Sequence, residues 1–251
     1  MASINIHTGW MDEIVWGLPA QIQVWVIHAP EFMKTHGQDH TAILNEDEQL
    51  RSNRFFQQRH ADRFTAGRIA LRFILAGLLD THPKSINLVN NERRKLFIGA
   101  QHGKTLHFNL SYAGDYILIA IDRDAPVGLD IEQLNTGFEI EPMLTGCFSA
   151  NEIEFISGVS DNGQHHRFFA LWTRKEAILK LTGLGIGDHL PWFEVLDGSQ
   201  STEASTIGGR PQQDIHVRSF EMPQGYIGSL ATEHRHATIA FHKFDVPLNN
   251  L

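Results

Sequence analysis

Residues 167–182 read Arg-Phe-Phe-Ala-Leu-Trp-Thr-Arg-Lys-Glu-Ala-Ile-Leu-Lys-Leu-Thr. Phe168, Trp172 and Leu179 recur at helical spacing, which puts them on one face of a single helix. An earlier stretch, from about Arg54 to Leu79, has the same basic and aromatic make-up. Over Ala61 to Leu79 its Phe64, Leu71, Leu75 and Leu78 form one apolar stripe. His82-Pro83 ends it, because the residue before a proline is steered away from helical angles. Each helix is followed by strands that meet at a tight turn: 107–111 and 116–121 around Gly114-Asp115-Tyr116, then 215–220 and 226–231 around Gly225-Tyr226. This echo predicts an α+β chain of two similar α/β halves, residues 1–124 and 125–251, in a pseudo-twofold arrangement with any active site at their junction.

The intervening text fills in the halves. Residues 21–27 alternate and then run apolar, as an opening strand does, and Val127 to Ile131 reads as another short strand. Asn45 with Glu48, and Ser149 with Glu152, have capping-box spacing and predict helix starts. Further strands are expected at Trp192 to Leu196 and Ala237 to Phe244. A loop or hairpin excursion is expected at Gly198 to Arg210, which is rich in Ser, Thr and Gly.

Composition narrows the function classes. With 42% hydrophobic and 20% charged residues in 251, this is an ordinary globular chain. Its apolar runs are too short to cross a bilayer, and the start lacks the pattern of a secretory signal. Cys147 is the only cysteine, so no intrachain disulfide forms, and a cytoplasmic monomer is expected. A net charge of −8 argues against nucleic acid as a partner. Yet between Arg51 and Lys95 ten lysines and arginines meet only Asp62, Asp80 and Glu92, which points to one local anionic ligand.

Three short elements carry the chemistry. In Val127-Gly128-Leu129-Asp130-Ile131-Glu132, a strand would aim Asp130 and Glu132 at one point. Two adjacent anions repel and call for a cation, a shared proton or water; hard oxygen ligands suit magnesium. In the helix, Glu176 and Lys180 are neighbours four residues apart. Asn109-Leu110-Ser111-Tyr112 puts small polar groups just before a turn, within reach of a phosphate.

Together and in this order, the elements resemble the Sfp-type 4'-phosphopantetheinyl transferase family. Its marks are Asn-x-Ser-His, Gly-hydrophobic-Asp-x-Glu, and Trp-Ser/Thr-x-Lys-Glu-Ala/Ser with a later lysine, and the likeness runs from about Glu48 to Gly187. Tyr112 departs from the pattern, standing where the family has histidine. The resemblance implies Asp130, Glu132 and Glu176 as magnesium ligands, with these three and Lys180 as catalytic groups. It implies contacts to coenzyme A from Arg51, Arg54, Arg63, Lys95, Ser111, Tyr112, Lys175 and Lys180. The match at Lys95 is loose, because the text reads Arg94-Lys95-Leu96 instead of Gly-Lys-Pro.

The implied reaction joins the serine hydroxyl of an apo acyl or peptidyl carrier protein to the β-phosphorus of coenzyme A and expels 3',5'-ADP. Glu176, or Glu132 through a metal-bound water, takes the proton. Another magnesium-dependent phosphodiester or pyrophosphate enzyme, or a silent carrier-binding module, would use the same residues. A zinc enzyme is the weakest alternative, since His165-His166 and His234-Arg235-His236 lack cysteines and zinc spacing and read as surface histidines. Leu134, Phe138, Ile140, Met143 and Leu144 form either an apolar dock for the carrier or a cover for the core.

Overall fold

The computed structural model describes residues 3–90, 95–103, 106–185, 190–203 and 214–245. Arg93 and Arg94 of the basic stretch lie outside the described residues. The elements are β1 (Ser3–Trp10), β2 (Ile22–His28), α1 (Ala29–His40), α2 (Glu46–Asn53) and α3 (Gln58–Leu79). Next come β3 (Leu88–Asn90), β4 (Leu96–Ile98), β5 (His107–Ala113), β6 (Tyr116–Asp122) and β7 (Val127–Gln133). After α4 (Glu141–Cys147), α5 (Ala150–Ser157) and α6 (Asp161–Thr182) come β8 (Gly198–Glu203), β9 (Ile215–Met222), β10 (Tyr226–Thr232) and β11 (Ile239–Lys243).

Two sheets form the centre, β11-β2-β6-β5 and β7-β10-β9-β1-β8, with β3 and β4 as a separate hairpin. Helix α3 covers one face of the first sheet, packing on Ile27, Ile117, Ile119 and Ile121. Helix α6 covers one face of the second, packing on Ile4, Ile6, Ile215, Val217 and Ile227. The remaining faces meet through Val24, Leu118, Ala120, Leu129, Ile131, Leu230 and Phe241. A strand buried on both faces reads as a continuous apolar run instead of an alternation. That is why Tyr116-Ile117-Leu118-Ile119-Ala120-Ile121 looked like one unbroken stretch.

Both expected capping boxes form. Asn45 accepts from Glu48 N–H while Glu48 accepts from Asn45 N–H, and Ser149 and Glu152 do the same. Helix α3 stops at Asp80, which takes a left-handed conformation (φ 53°) before the proline is reached. The ends of the chain cross over: β1 joins the second sheet parallel to β9, and β11 joins the first parallel to β2. Each sheet therefore draws strands from both sides of residue 124.

The tail differs from expectation. Residues 193–196 are not a strand, because buried side chains already satisfy their backbone. Lys175 donates to Leu190 and Phe193 carbonyls, Arg174 donates to the Val195 carbonyl, and Val195 N–H donates to Glu152. The strand lies further on, at β8, inside the stretch expected to be a loop or hairpin excursion, of which 204–210 lie outside the described residues; β8 is polar because it is an edge paired only with β1.

Candidate active site

The site is built where two edge strands approach. β5 ends one sheet and β7 ends the other, and no ladder joins them. Side chains of β5 close the gap instead. Leu129 N–H donates to Asn109 Oδ1 (3.0 Å), and Ile131 N–H donates to Ser111 Oγ (3.3 Å). These bonds satisfy edge groups of β7 that would otherwise be buried without partners. The Asn-x-Ser spacing follows from the two-residue period of both strands.

Strand alternation sends Leu129 and Ile131 into the inter-sheet core and turns Asp130 and Glu132 toward α6. Helix α6 presses directly on β7 at Gly128, where a Cβ would stand 1.9 Å from the Ala177 carbonyl oxygen. No larger residue fits there. The approach brings Trp172, Glu176 and Lys180, spaced four apart on one helix face, over the two carboxylates. Lys180 Nζ donates to Asp130 Oδ1 (2.5 Å), Ser111 Oγ (3.1 Å) and the Leu129 carbonyl (3.1 Å). Ser111 Oγ donates to the same Asp130 oxygen at 2.8 Å.

The cluster is short of positive charge. Burial first, and then the Asp130 charge, push the Glu176 carboxyl up to about 7, with Lys180 only partly opposing them. Glu132 is likewise pushed up to about 7 by burial and Asp130, against Lys180 and a hydrogen bond with the Trp172 side chain. Asp130 Oδ2 and Glu176 Oε1 are buried and find no hydrogen-bond partner among the described residues. The three carboxyls do not bring one ligand atom each to within 4.8 Å of one another, a spacing met among the described residues by His7, Asp214 and His216.

A second cluster lies on the opposite face of β5. Tyr112 points toward α3, its ring so close to Gly67 that a Cβ there would stand 2.9 Å from the hydroxyl. The Arg63 guanidinium sits 5.9 Å over that ring and donates to the Gly114 carbonyl (2.7 Å). Arg51 and Arg68 flank Phe64, at 5.0 and 5.2 Å from the ring centre. Arg68 is 9% exposed, and its Nε and Nη1 have no hydrogen-bond partner among the described residues. Burial raises the Tyr112 phenol above its ordinary pKa, against the pull of Arg68, Arg51 and Arg63. Arg54 is exposed at the end of α2.

Residues 33–124 match the model of the N-terminal part of 4'-phosphopantetheinyl transferases, and residues 126–238 match that of the 4'-phosphopantetheinyl transferase superfamily. The 4'-phosphopantetheinyl transferase HetI of Nostoc sp. is 35% identical over 170 residues, covering 67% of this chain and 71% of that protein. The chain belongs to the 4'-phosphopantetheinyl transferase family. A phosphopantetheinyl transferase of Thraustochytrium sp. is 29% identical over 235 residues, 87% of this chain and 81% of the relative. The 4'-phosphopantetheinyl transferase Sfp of Bacillus subtilis is 24% identical over 197 residues, 77% and 84% of the two chains.

Not every residue singled out by resemblance to this transferase family faces the clusters. Lys175 does not: its ammonium is fully buried, paired with Glu152 (2.9 Å), and donates to Leu190 and Phe193 carbonyls at 2.7 and 2.6 Å. With its side chain wholly out of solvent and its three donors turned inward, Lys175 presents nothing to a ligand. Lys95 donates to the Lys180 carbonyl (2.5 Å) and the Leu181 carbonyl (3.3 Å), a favourable place for a cation at a helix C-terminus. Ser111 is buried and spends its hydroxyl on Asp130, so it positions the carboxylate. The apolar stretch after β7 mostly covers core: Ile140 is buried, and Leu134, Met143 and Leu144 pack against the α6 cluster. Sequence reasoning passed over Arg68, although it lies on the apolar stripe of α3, four residues after Phe64 and three before Leu71. A cation on a buried stripe was the available signal.

Proposed function

We propose that this protein transfers the 4'-phosphopantetheine group of coenzyme A to a serine of an apo acyl or peptidyl carrier protein in the cytoplasm, releasing 3',5'-ADP. Family membership supports the reaction class. The observation that carries the site is the group formed by the buried carboxyls Asp130 and Glu176 and the half-buried Glu132, with two orphaned oxygens and too little positive charge around them.

An all-oxygen donor set suits a hard divalent cation, and magnesium, which takes water and phosphate at several positions, needs no closed ring of protein ligands: Asp130, Glu132 and Glu176 would hold it, and when bound it would neutralise charge developing on the pyrophosphate. The rest falls to this chain's own groups. Lys180 stands at the rim, 27% exposed, and supplies a point charge to the phosphates. Glu176, or Glu132 through a water, accepts the serine proton. Ser111 and Asn109 fix β7 so that Asp130 keeps its place. Arg51, Arg63 and Arg68 with Tyr112 bind the nucleotide end, where planar guanidinium groups match phosphate.

In this reading the two halves, divided near residue 124, are pseudo-twofold relatives and the site lies at their junction. Supporting it, α3 and α6 each have 22 residues and each follows a capped short helix of 8 residues. The test is incubation with coenzyme A, magnesium and a panel of apo carrier proteins, read by mass spectrometry. Covalent phosphopantetheine on a carrier serine is expected; none on any carrier would overturn the proposal.

A further inference from the structure

Two adjacent strands of the second sheet bring together His7 from β1, His216 from β9 and Asp214 just before β9. His7 and His216 are register partners on adjacent parallel strands, and Asp214 is two residues before His216, so all three share one face of the sheet. One ligand atom from each lies within 4.8 Å of the other two. The imidazoles stack with centroids 4.6 Å apart.

The surrounding side chains hold these groups as outer-shell partners hold metal ligands. His7 Nδ1 is hydrogen-bonded to Ser199 Oγ of β8 (2.9 Å), which turns Nε2 toward Asp214. That Nε2 is shielded from solvent, has no hydrogen-bond partner among the described residues, and lies 3.4 Å from Asp214 Oδ2. Asp214 Oδ1 accepts from Asn5 Nδ2 (3.1 Å), and Ser201 Oγ donates to Asn5 Oδ1 (2.9 Å), fixing which end of the amide faces the carboxylate. His216 is buried.

We propose that His7, Asp214 and His216 bind a borderline transition-metal ion of the zinc class, at a site separate from the magnesium carboxylates. Two imidazoles and one carboxylate are the donor set of such ions, whereas magnesium prefers oxygen alone. Three protein ligands leave a fourth position, and it opens onto a cavity of about 290 Å³ lined also by Arg218, Arg235 and His236. Two arginines on that wall oppose a bare dication, so the fourth ligand is anionic. The ion ties β1, which comes from the start of the chain, to β9, near its end, and acts as a structural staple.

The experiment uses the full chain stripped with a chelator and titrated with zinc or cobalt(II). Expected are one tightly held equivalent, a visible cobalt absorption band, and a thermal midpoint that rises with zinc. His7→Ala and His216→Ala should each weaken this binding more than tenfold and abolish the rise, with circular dichroism showing both variants folded. Ser199→Ala, which removes an orienting partner and no ligand, should weaken it about 10- to 100-fold. Failure of the folded wild type to retain an equivalent, or retention unchanged in His7→Ala, would overturn the site. Phosphopantetheine transfer, which depends on other residues, is read separately and should survive in both histidine variants.

Discussion

Arg72 and Lys175 occupy the same place in two different helices. Each lies fourteen positions past the first residue of a 22-residue helix, Gln58 or Asp161. Each pairs with a capping-box glutamate of the preceding short helix: Arg72 with Glu48 at 2.8 Å, Lys175 with Glu152 at 2.9 Å. Each also donates to two carbonyls in the segment after its own helix, Pro83 and Ile86 in one case, Leu190 and Phe193 in the other. One glutamate ahead of each long helix thus starts one helix and anchors the next.

Removing Lys175 should therefore damage the fold and spare the ligand site. Lys175→Met leaves the Glu152 charge buried and unpaired, which costs about 3–5 kcal/mol. Lys175→Met combined with Glu152→Gln should recover part of this, because an amide needs no counter-charge. Denaturant unfolding measures the cost, and coenzyme A affinity of the folded Lys175→Met protein should equal that of the parent. Weaker affinity in folded protein would mean that Lys175 touches the ligand.

Asp130→Asn keeps the shape of the side chain and its acceptor for Ser111 and Lys180, but removes the charge. Transfer should slow by at least about two orders of magnitude, the scale of losing charge stabilisation in a transition state. Single-turnover transfer, with circular dichroism as the folding control, decides it. A folded variant with near-parental turnover would take Asp130 out of the mechanism.

Gly128→Ala tests the contact that sets Glu176 over β7. The new methyl would meet the Ala177 carbonyl at 1.9 Å, and a backbone atom cannot swing aside. Overpacking of this kind costs about 1–3 kcal/mol, and displacement of a reacting group by about 1 Å costs on the order of a hundredfold in rate. Stability and turnover should fall together; a loss of stability alone would mean that α6 and β7 shift without moving Glu176.

The same carboxyls give a pH signature in metal-free protein. Glu132 and Glu176 rise from 4.5 to about 7 on folding, so between those values the native state holds protons the unfolded chain has released. Stability then falls as pH rises from about 4.5 to about 7 and levels off above. Thermal midpoints in chelator across this range should decline, and Glu176→Gln should flatten part of the decline. Identical profiles for parent and variant would contradict the burial of Glu176.

What the sequence disclosed follows from the range of each interaction. Asn45 with Glu48 and Ser149 with Glu152 were legible because a capping box is complete within four residues. That Asp130 and Glu132 share a strand face, and Glu176 and Lys180 a helix face, was legible because strand and helix periods fix it; that the two faces meet was implied only by the family resemblance. Lys175 was misplaced because its helix position does not disclose Glu152, whose partnership depends on how α5 packs against α6. β1 and the pairing of His7 with His216 were invisible for the same reason: their partners stand at the far end of the chain.

Tyr112 separates two accounts of how the nucleotide is held. Ser111 and Tyr112 are neighbours on a strand, so they face opposite ways: Ser111 to Asp130, Tyr112 to the arginines of α2 and α3. With its phenol raised further by burial, Tyr112 stays a neutral donor at working pH, where the family's histidine would titrate. Tyr112→Phe should weaken coenzyme A binding by roughly 0.5–3 kcal/mol, the span from neutral to charge-assisted hydrogen bonds. Arg68→Met should weaken coenzyme A more than dephospho-coenzyme A, because Nη1 has no hydrogen-bond partner among the described residues and Nε only a 3.8 Å ion pair with Glu48. Tyr112→His should bind better at pH 6 than at pH 8, since only the protonated ring adds charge. Calorimetry with both ligands at both pH values checks all three. Equal losses for coenzyme A and its dephospho form would deny Arg68 a 3'-phosphate role, and a pH-independent histidine variant would mean that this face of β5 meets no phosphate.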